Sequence, residues 1–162
     1  MESERELYGP IIDLFKEDYT IASEVPLGPK RIDIVAIKDG KIIAVEVKLN
    51  KWKDALRQAK NYKLGADESY VAIPLKYSNP VNKRFFQKTG IGLITVDNLG
   101  KAVISIPALQ STIKSHNYST LIRAHVAEQT REISSNGSNG NHSSFSIYLW
   151  YLANERQYFD SM

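Results

Sequence analysis

Asp33, Glu46 and Lys48 interrupt two runs that are otherwise almost wholly Ile, Val and Ala, "RIDIVAIK" and "KIIAVEVK". Between the runs stands Asp39-Gly40, a dipeptide that favours a two-residue hairpin turn because both residues tolerate positive φ. Such a turn sets Lys38 opposite Lys41. Counting back along both strands then sets Asp33 opposite Glu46 on one side of the sheet, with Cβ atoms roughly 4.5–5.5 Å apart. Lys48 follows Glu46 by two residues and shares its side. Val35, Ala44, Ile37 and Ile42 are expected beside these polar groups, with Ile32, Ile34, Val45 and Val47 on the other side. Two like charges about 5 Å apart at an effective dielectric of about 20 repel by roughly 3 kcal/mol. A divalent cation between the carboxylates would offset this, Mg²⁺ in particular, which binds through one or two carboxylates together with waters and a phosphate. Lys48 pairing with both acids, or one carboxyl holding a proton, would relieve the repulsion as well.

The hairpin must be held by its neighbours. A helix is expected over residues 3–17, with Leu7, Ile11, Leu14 and Phe15 at helical spacing and Ser3 placed to cap its start. Glu4 falls on the inward stripe of that helix, whereas Glu6 lies outside with Asp13 and Glu17. Glu4 could therefore join the carboxylates, or simply complement the helix dipole. "YTIASEVPL" reads as a strand before the hairpin, and "KWKDALRQAKNYKLG" as a helix after it, its Trp52, Ala55, Leu56, Ala59 and Tyr62 on one side and Gly65 as its stop. "SYVAIP" is a buried strand, "NPVNKRFFQKTG" a short basic helix ending at Gly90, and "IGLITVD" and "KAVISI" a closing pair of strands. The order αβββαβ, continued by αββ, defines an α/β domain over residues 1–107 with a mixed β-sheet flanked by helices. A helical C-terminal extension is expected over residues 108–162. It comprises a helix over 108–133, a flexible polar loop at 134–144 and an aromatic closing helix, "FSIYLWYLANERQYF".

The 162 residues are 43% apolar and 24% charged, which suits one globular domain with a small appendage. No apolar run approaches the 18 or more residues of a membrane span, so no membrane role is expected. The absence of cysteine excludes disulfides and thiolate metal sites, and "MESERELYG" does not resemble a signal peptide. A cytoplasmic, nucleoid-associated location is the expectation. The net charge of +3 is small, but its distribution is uneven. Lys48, Lys51, Lys53, Arg57, Lys60 and Lys63 face only Asp54 in their stretch, and Lys76, Lys83, Arg84 and Lys88 face no acid in theirs. Such runs suit a phosphate backbone or a solvated surface. His116, His125 and His142 lie outside the expected core and are assigned no role.

An Asp, then Glu-x-Lys on the next strand, behind a helix bearing a Glu, resembles the PD-(D/E)XK nuclease superfamily of restriction and DNA-repair enzymes. The resemblance spans roughly residues 1–75. "RID" stands where the family often has Pro-Asp, and "EVK" matches its second half. "ERELY" and its distance to Asp33 are similar to archaeal Holliday-junction resolvases, with Glu4 as the helix-borne acid. "QAKNY" is similar to the Gln-x-x-x-Tyr motif of RecB-type nucleases. The resemblance implies a restriction-endonuclease-like core and hydrolysis of DNA phosphodiester bonds in repair, recombination or restriction. It further implies Mg²⁺ or Mn²⁺ held by Asp33, Glu46 and the Val47 carbonyl, with no small-molecule cofactor. Lys48 would orient the attacking water or stabilise developing charge, and Glu4 and Gln58 would assist. Lys51, Lys53, Arg57, Lys60 and Tyr62 would contact DNA. Cutting a four-way junction would call for a homodimer with two sites. A DNA-binding module that does not cleave, or a subunit active only with a partner, are the alternative readings.

Overall fold

A computed structural model of the chain describes residues 3–136. A 3₁₀ turn, Glu4–Leu7, leads into α1, Tyr8–Phe15. Three strands follow: β1 Thr20–Leu27, β2 Lys30–Lys38 and β3 Lys41–Val47. Then come α2 Trp52–Tyr62, β4 Glu68–Pro74, a 3₁₀ turn Leu75–Tyr77 and α3 Lys83–Thr89. β5 Gly92–Val96, β6 Ala102–Ile106 and α4 His116–Asn136 complete the order. The six strands form one mixed sheet in chain order, antiparallel from β1 to β3, parallel from β3 to β5, and antiparallel again at β6. The two parallel pairs are the ones joined through helices, as parallel neighbours must be. The α/β architecture, a mixed sheet flanked by helices, is therefore as expected.

The turn chemistry fixes the register. Asp39 and Gly40 both have positive φ, 51° and 79°, which sets Lys38 opposite Lys41 and Ile34 opposite Val45. A second tight turn at Gly28-Pro29, with Gly28 at φ 61°, sets Leu27 opposite Lys30. Three apolar clusters fill the two faces of the sheet. α1 and the 3₁₀ turn before it bury Leu7, Tyr8, Ile11, Ile12 and Phe15 against Ile34, Val45, Val47 and Ala72. α2 lays the expected stripe of Trp52, Ala55, Leu56, Ala59 and Tyr62 on the other side, over β3 and β4.

Four expectations need correction. Ser3 stands at the N-cap but its side chain makes no capping hydrogen bond, and the first turn of the helix is 3₁₀. Ile32 does not share a face with Ile34: it packs with Val35, Ala44 and Tyr62. Alternation slips by one in both strands there, since Ala22 and Val25 also share that cluster. The cause is Glu24, whose φ of 53° breaks the pleat opposite Asp33. The helix expected from residue 108 begins at His116, because the preceding backbone is committed elsewhere. Leu109 N–H bonds to Gly90, Ser111 N–H to the Asp67 carbonyl and Ser115 N–H to Leu64. Finally, α4 reaches Asn136, into the segment expected as a loop.

α4 packs on the same core as the rest, burying Ile122 and Val126. Its Gln129 side chain accepts from Ser23 N–H (3.0 Å) and donates to Ser23 C=O (2.9 Å), occupying both backbone groups of the edge strand β1 at that point. The rest of the expected loop and the aromatic closing helix lie outside the described residues. Among the described residues, no helix is long and apolar enough to cross a membrane.

Candidate active site

The hydrogen-bonded ladder between β2 and β3 ends at Ile34 and Val45, one pair short of Asp33 and Glu46. Past that point the Asp33 side chain takes over, its Oδ2 accepting from Val47 N–H at 2.7 Å. Glu46, 7% exposed, accepts a hydrogen bond on Oε2 from the hydroxyl of Tyr62, whose one proton is shared with the Arg31 carbonyl 3.0 Å away. The two carboxyls are neighbours at the next position of the hairpin, and burial is the largest influence on both. Burial first, and the charge of Glu46 second, push the Asp33 carboxyl up to about 8, against the Val47 N–H bond that favours the anion. Burial also raises Glu46, opposed by its bonds to Tyr62 and Asp33 and by the nearby Lys48 charge. The hairpin counting thus brings the expected pair together, and each carboxyl is held above its usual range.

A third carboxylate joins the row. Glu24 lies between the paired residues Ser23↔Ile34 and Val25↔Ile32, hence opposite Asp33 on its other flank, and its charge adds to the rise of Asp33. Tyr8 on α1 donates its hydroxyl to Glu24 Oε1 at 3.0 Å. Neither Glu24 nor Tyr8 was expected here. The signal was present in the Gly28-Pro29 turn, since counting outward from Leu27 and Lys30 arrives at Glu24 and Asp33.

Glu4, expected on the inward stripe of the helix, is instead exposed, and it meets Lys48, whose Nζ lies 3.8 Å from Glu4 Oε1. Gln58 stands one helical turn before Tyr62 on α2, and its Oε1 is buried without a hydrogen-bond partner. A buried acceptor without a donor is unfavourable by about 1–3 kcal/mol, so Gln58 Oε1 suits a water or an ammonium group beside α2. The donor set also fits a hard divalent cation: a buried and a half-buried carboxylate side by side, lacking a full countercharge. Among the described residues no group of three or more His, Asp or Glu side chains converges as a complete metal cage. A cation here would therefore take Asp33, Glu46, the Val47 carbonyl and waters or phosphate oxygens, which is how Mg²⁺ prefers to bind.

Lys51, Lys53 and Lys60 lie exposed along α2 or at its start, and Arg57 is exposed but pairs with Asp54 at 3.3 Å. Lys53 Nζ also sits 5.7 Å from the Trp52 ring. These positions could meet a phosphate backbone. Tyr62 could not: it is 1% exposed and its hydroxyl is engaged by Glu46 and Arg31, so it positions the carboxylate and offers no surface to DNA.

Neither a protein-family model nor a curated protein matches the sequence. Among solved structures, the chain is similar to a protein of unknown function from Silicibacter pomeroyi. The TM-score is 0.67 at 14% sequence identity, covering 88% of this chain and 99% of that one. At that identity the likeness is one of fold.

Proposed function

We propose that the chain is a metal-dependent nuclease that hydrolyses DNA phosphodiester bonds on a restriction-endonuclease-like core. The observation that carries the reading is the placing of half-buried Asp33 beside buried Glu46 at the open end of the β2–β3 ladder, with Lys48 two residues beyond. The strand order and the α2 crossover between parallel β3 and β4 support the same core. Asp33, Glu46 and the Val47 carbonyl would hold Mg²⁺ or Mn²⁺, which when bound lowers the pKa of a water and polarises the scissile phosphate. Tyr62 fixes one oxygen of Glu46 and Val47 N–H fixes one of Asp33, so a cation would draw on the second oxygen of each. Lys48 places a positive charge where a pentacoordinate phosphorane gathers negative charge, and Glu4 holds that ammonium in place. The unpartnered Gln58 Oε1 would accept a hydrogen bond from the attacking water. Repair, recombination or restriction are the processes such an endonuclease would serve, and on a four-way junction it would work as a homodimer in the DNA-containing compartment of the cell.

The test is cleavage of labelled linear duplex, single strand, flap and four-way junction with Mg²⁺, Mn²⁺ or EDTA, wild type beside Glu46→Ala. Metal-dependent cutting that disappears in the variant is the expected result. Folded protein that binds DNA but cuts none of the substrates with either metal would favour a binding module or a missing partner.

A further inference from the structure

A concavity of about 490 Å³ opens on α3, lined by Asn82, Arg84, Phe85, Gln87 and Lys88. Its walls combine one aromatic ring, two cations and two primary amides, and from Leu75 to Gly92 the chain contains no acid. Phe85 is 46% exposed, although its neighbour Phe86 is fully buried beneath the helix. A merely solvated basic face has no use for a phenyl ring in water.

The platform is held at both ends. Asn82 Oδ1 caps α3 by accepting from Arg84 N–H at 3.0 Å, and Gly90, at φ 75°, returns its N–H to the Phe86 carbonyl at 2.9 Å. Lys63 Nζ donates to the Thr89 carbonyl at 2.7 Å. The Phe85 ring leans on Trp52, the first residue of α2, with centroids 6.1 Å apart. Through that contact the cations of α3 continue those at the start of α2, four residues beyond Lys48.

We propose that this concavity takes an unpaired nucleotide of a DNA strand, with the base stacked on Phe85 and the flanking phosphates held by Arg84 and Lys88. Every base has a π face, so the stacking would tolerate any sequence. Asn82 Oδ1 is engaged by the cap, so its amide contributes donors to the base edge, while Gln87 can donate or accept. The volume lies within the range of small-ligand pockets. The inference rests on the reading that the chain acts on DNA and narrows it: the preferred substrate carries a single-stranded segment beside the cut, as in a flap or an opened junction.

The test is fluorescence-anisotropy titration of the full chain, in EDTA, with a labelled single strand, a tailed duplex and a blunt duplex. Phe85→Ala is expected to weaken single-strand and tail binding by about tenfold or more while changing blunt-duplex binding by less than about twofold. Phe85→Trp keeps a ring against Trp52 and is expected to preserve tail binding, with thermal melting confirming that both variants are folded. Lys88→Ala should lower the salt slope of single-strand binding by about 0.7. The pocket is refuted if Phe85→Ala binds the tail like wild type, loses tail and blunt duplex alike, or is matched in its loss by Phe85→Trp. Tail-selective binding without cleavage of any substrate would sink the nuclease and leave the pocket standing. Metal-dependent cleavage with tail binding indifferent to Phe85 would do the reverse.

Discussion

Tyr62, the last residue of α2, shares its single hydroxyl proton between Glu46 in β3 and the Arg31 carbonyl in β2, so one phenol ties the helix to both strands of the hairpin. Burial raises the Tyr62 pKa first, and the Glu46 charge raises it further, so the phenol stays a donor throughout the accessible pH range. Tyr62→Phe keeps the ring in its cluster and removes only this tie. The expected outcome is a loss of about 1–2 kcal/mol in urea denaturation and about a tenfold loss of metal-dependent cleavage. Unchanged cleavage would mean that Glu46 needs no such positioning.

The carboxyl pair makes stability depend on pH in the opposite sense to an ordinary ion pair. Burial, then the Glu46 charge, raise Asp33 from the usual 3.8 to about 8. Between those values the folded chain binds the proton and the unfolded chain does not, so this contribution is complete below about pH 4 and lost as pH rises to 8. The melting temperature of metal-free wild type, relative to Asp33→Asn, should therefore fall across that window. Adding Mn²⁺ or Mg²⁺ at pH 8 should raise it for wild type by the amount ligand linkage allows, about 2.7 kcal/mol at a hundredfold excess over Kd, and leave Asp33→Asn unmoved. Equal metal responses in the two proteins would remove Asp33 from the ligand set.

Asp33 and Glu46 were legible in sequence because a two-residue turn with Asp39-Gly40 leaves no freedom in register. Lys48 followed from the strand period, whereas Glu4 lies in a 3₁₀ turn and is exposed, so the α-helical period that put it inward did not apply. Two further things were not legible. The positive φ at Glu24 is a property of the folded sheet, and it shifted Ile32 to the other face against strict alternation. The start of α4 was set by distant partners: residues 109–115 bond to Lys63, Leu64, Asp67 and Gly90, contacts that no local propensity encodes. Tyr62 was assigned to the DNA surface from a motif, whereas its place on the buried stripe of α2 already put its ring inside.

Lys48 and Glu4 separate chemistry from stability. Their ion pair is 3.8 Å long and partly exposed on both sides, so it stabilises the fold by at most about 1 kcal/mol. Lys48→Ala should therefore unfold close to wild type and retain the metal-induced rise in melting temperature, while cleavage drops by about 10²–10³-fold. Glu4→Gln should lower cleavage far less, since Lys48 remains. A Lys48→Ala protein that still cuts would assign the stabilising charge to another residue.

Asp67 offers the converse case, a buried acid with a structural task. Its Oδ2 accepts from Ile42 N–H at 2.7 Å, and its Oδ1 accepts from Gln110 Nε2 at 2.9 Å and from the Lys114 ammonium. Its own backbone N–H and carbonyl bond to Ile42 and Ser111, so one residue pins β3 and the start of β4 to the segment leading into α4. Burial alone would raise this carboxyl, but the hydrogen bonds from Ile42, Lys114 and Gln110 outweigh it and hold the pKa below the usual 3.8. A depressed carboxylate contributes stability above its unfolded pKa and loses it as pH falls through the folded value. Asp67→Asn should thus lower stability at pH 7 by about 3 kcal/mol, because Lys114 loses its partner, and the gap to wild type should begin to narrow as pH falls below about 4. Cleavage by the folded fraction should be unchanged, since Asp67 bonds to neither Asp33 nor Glu46. Urea denaturation across pH 2–7 decides it: a gap constant with pH would mean that the charge of Asp67 is not what holds the segment.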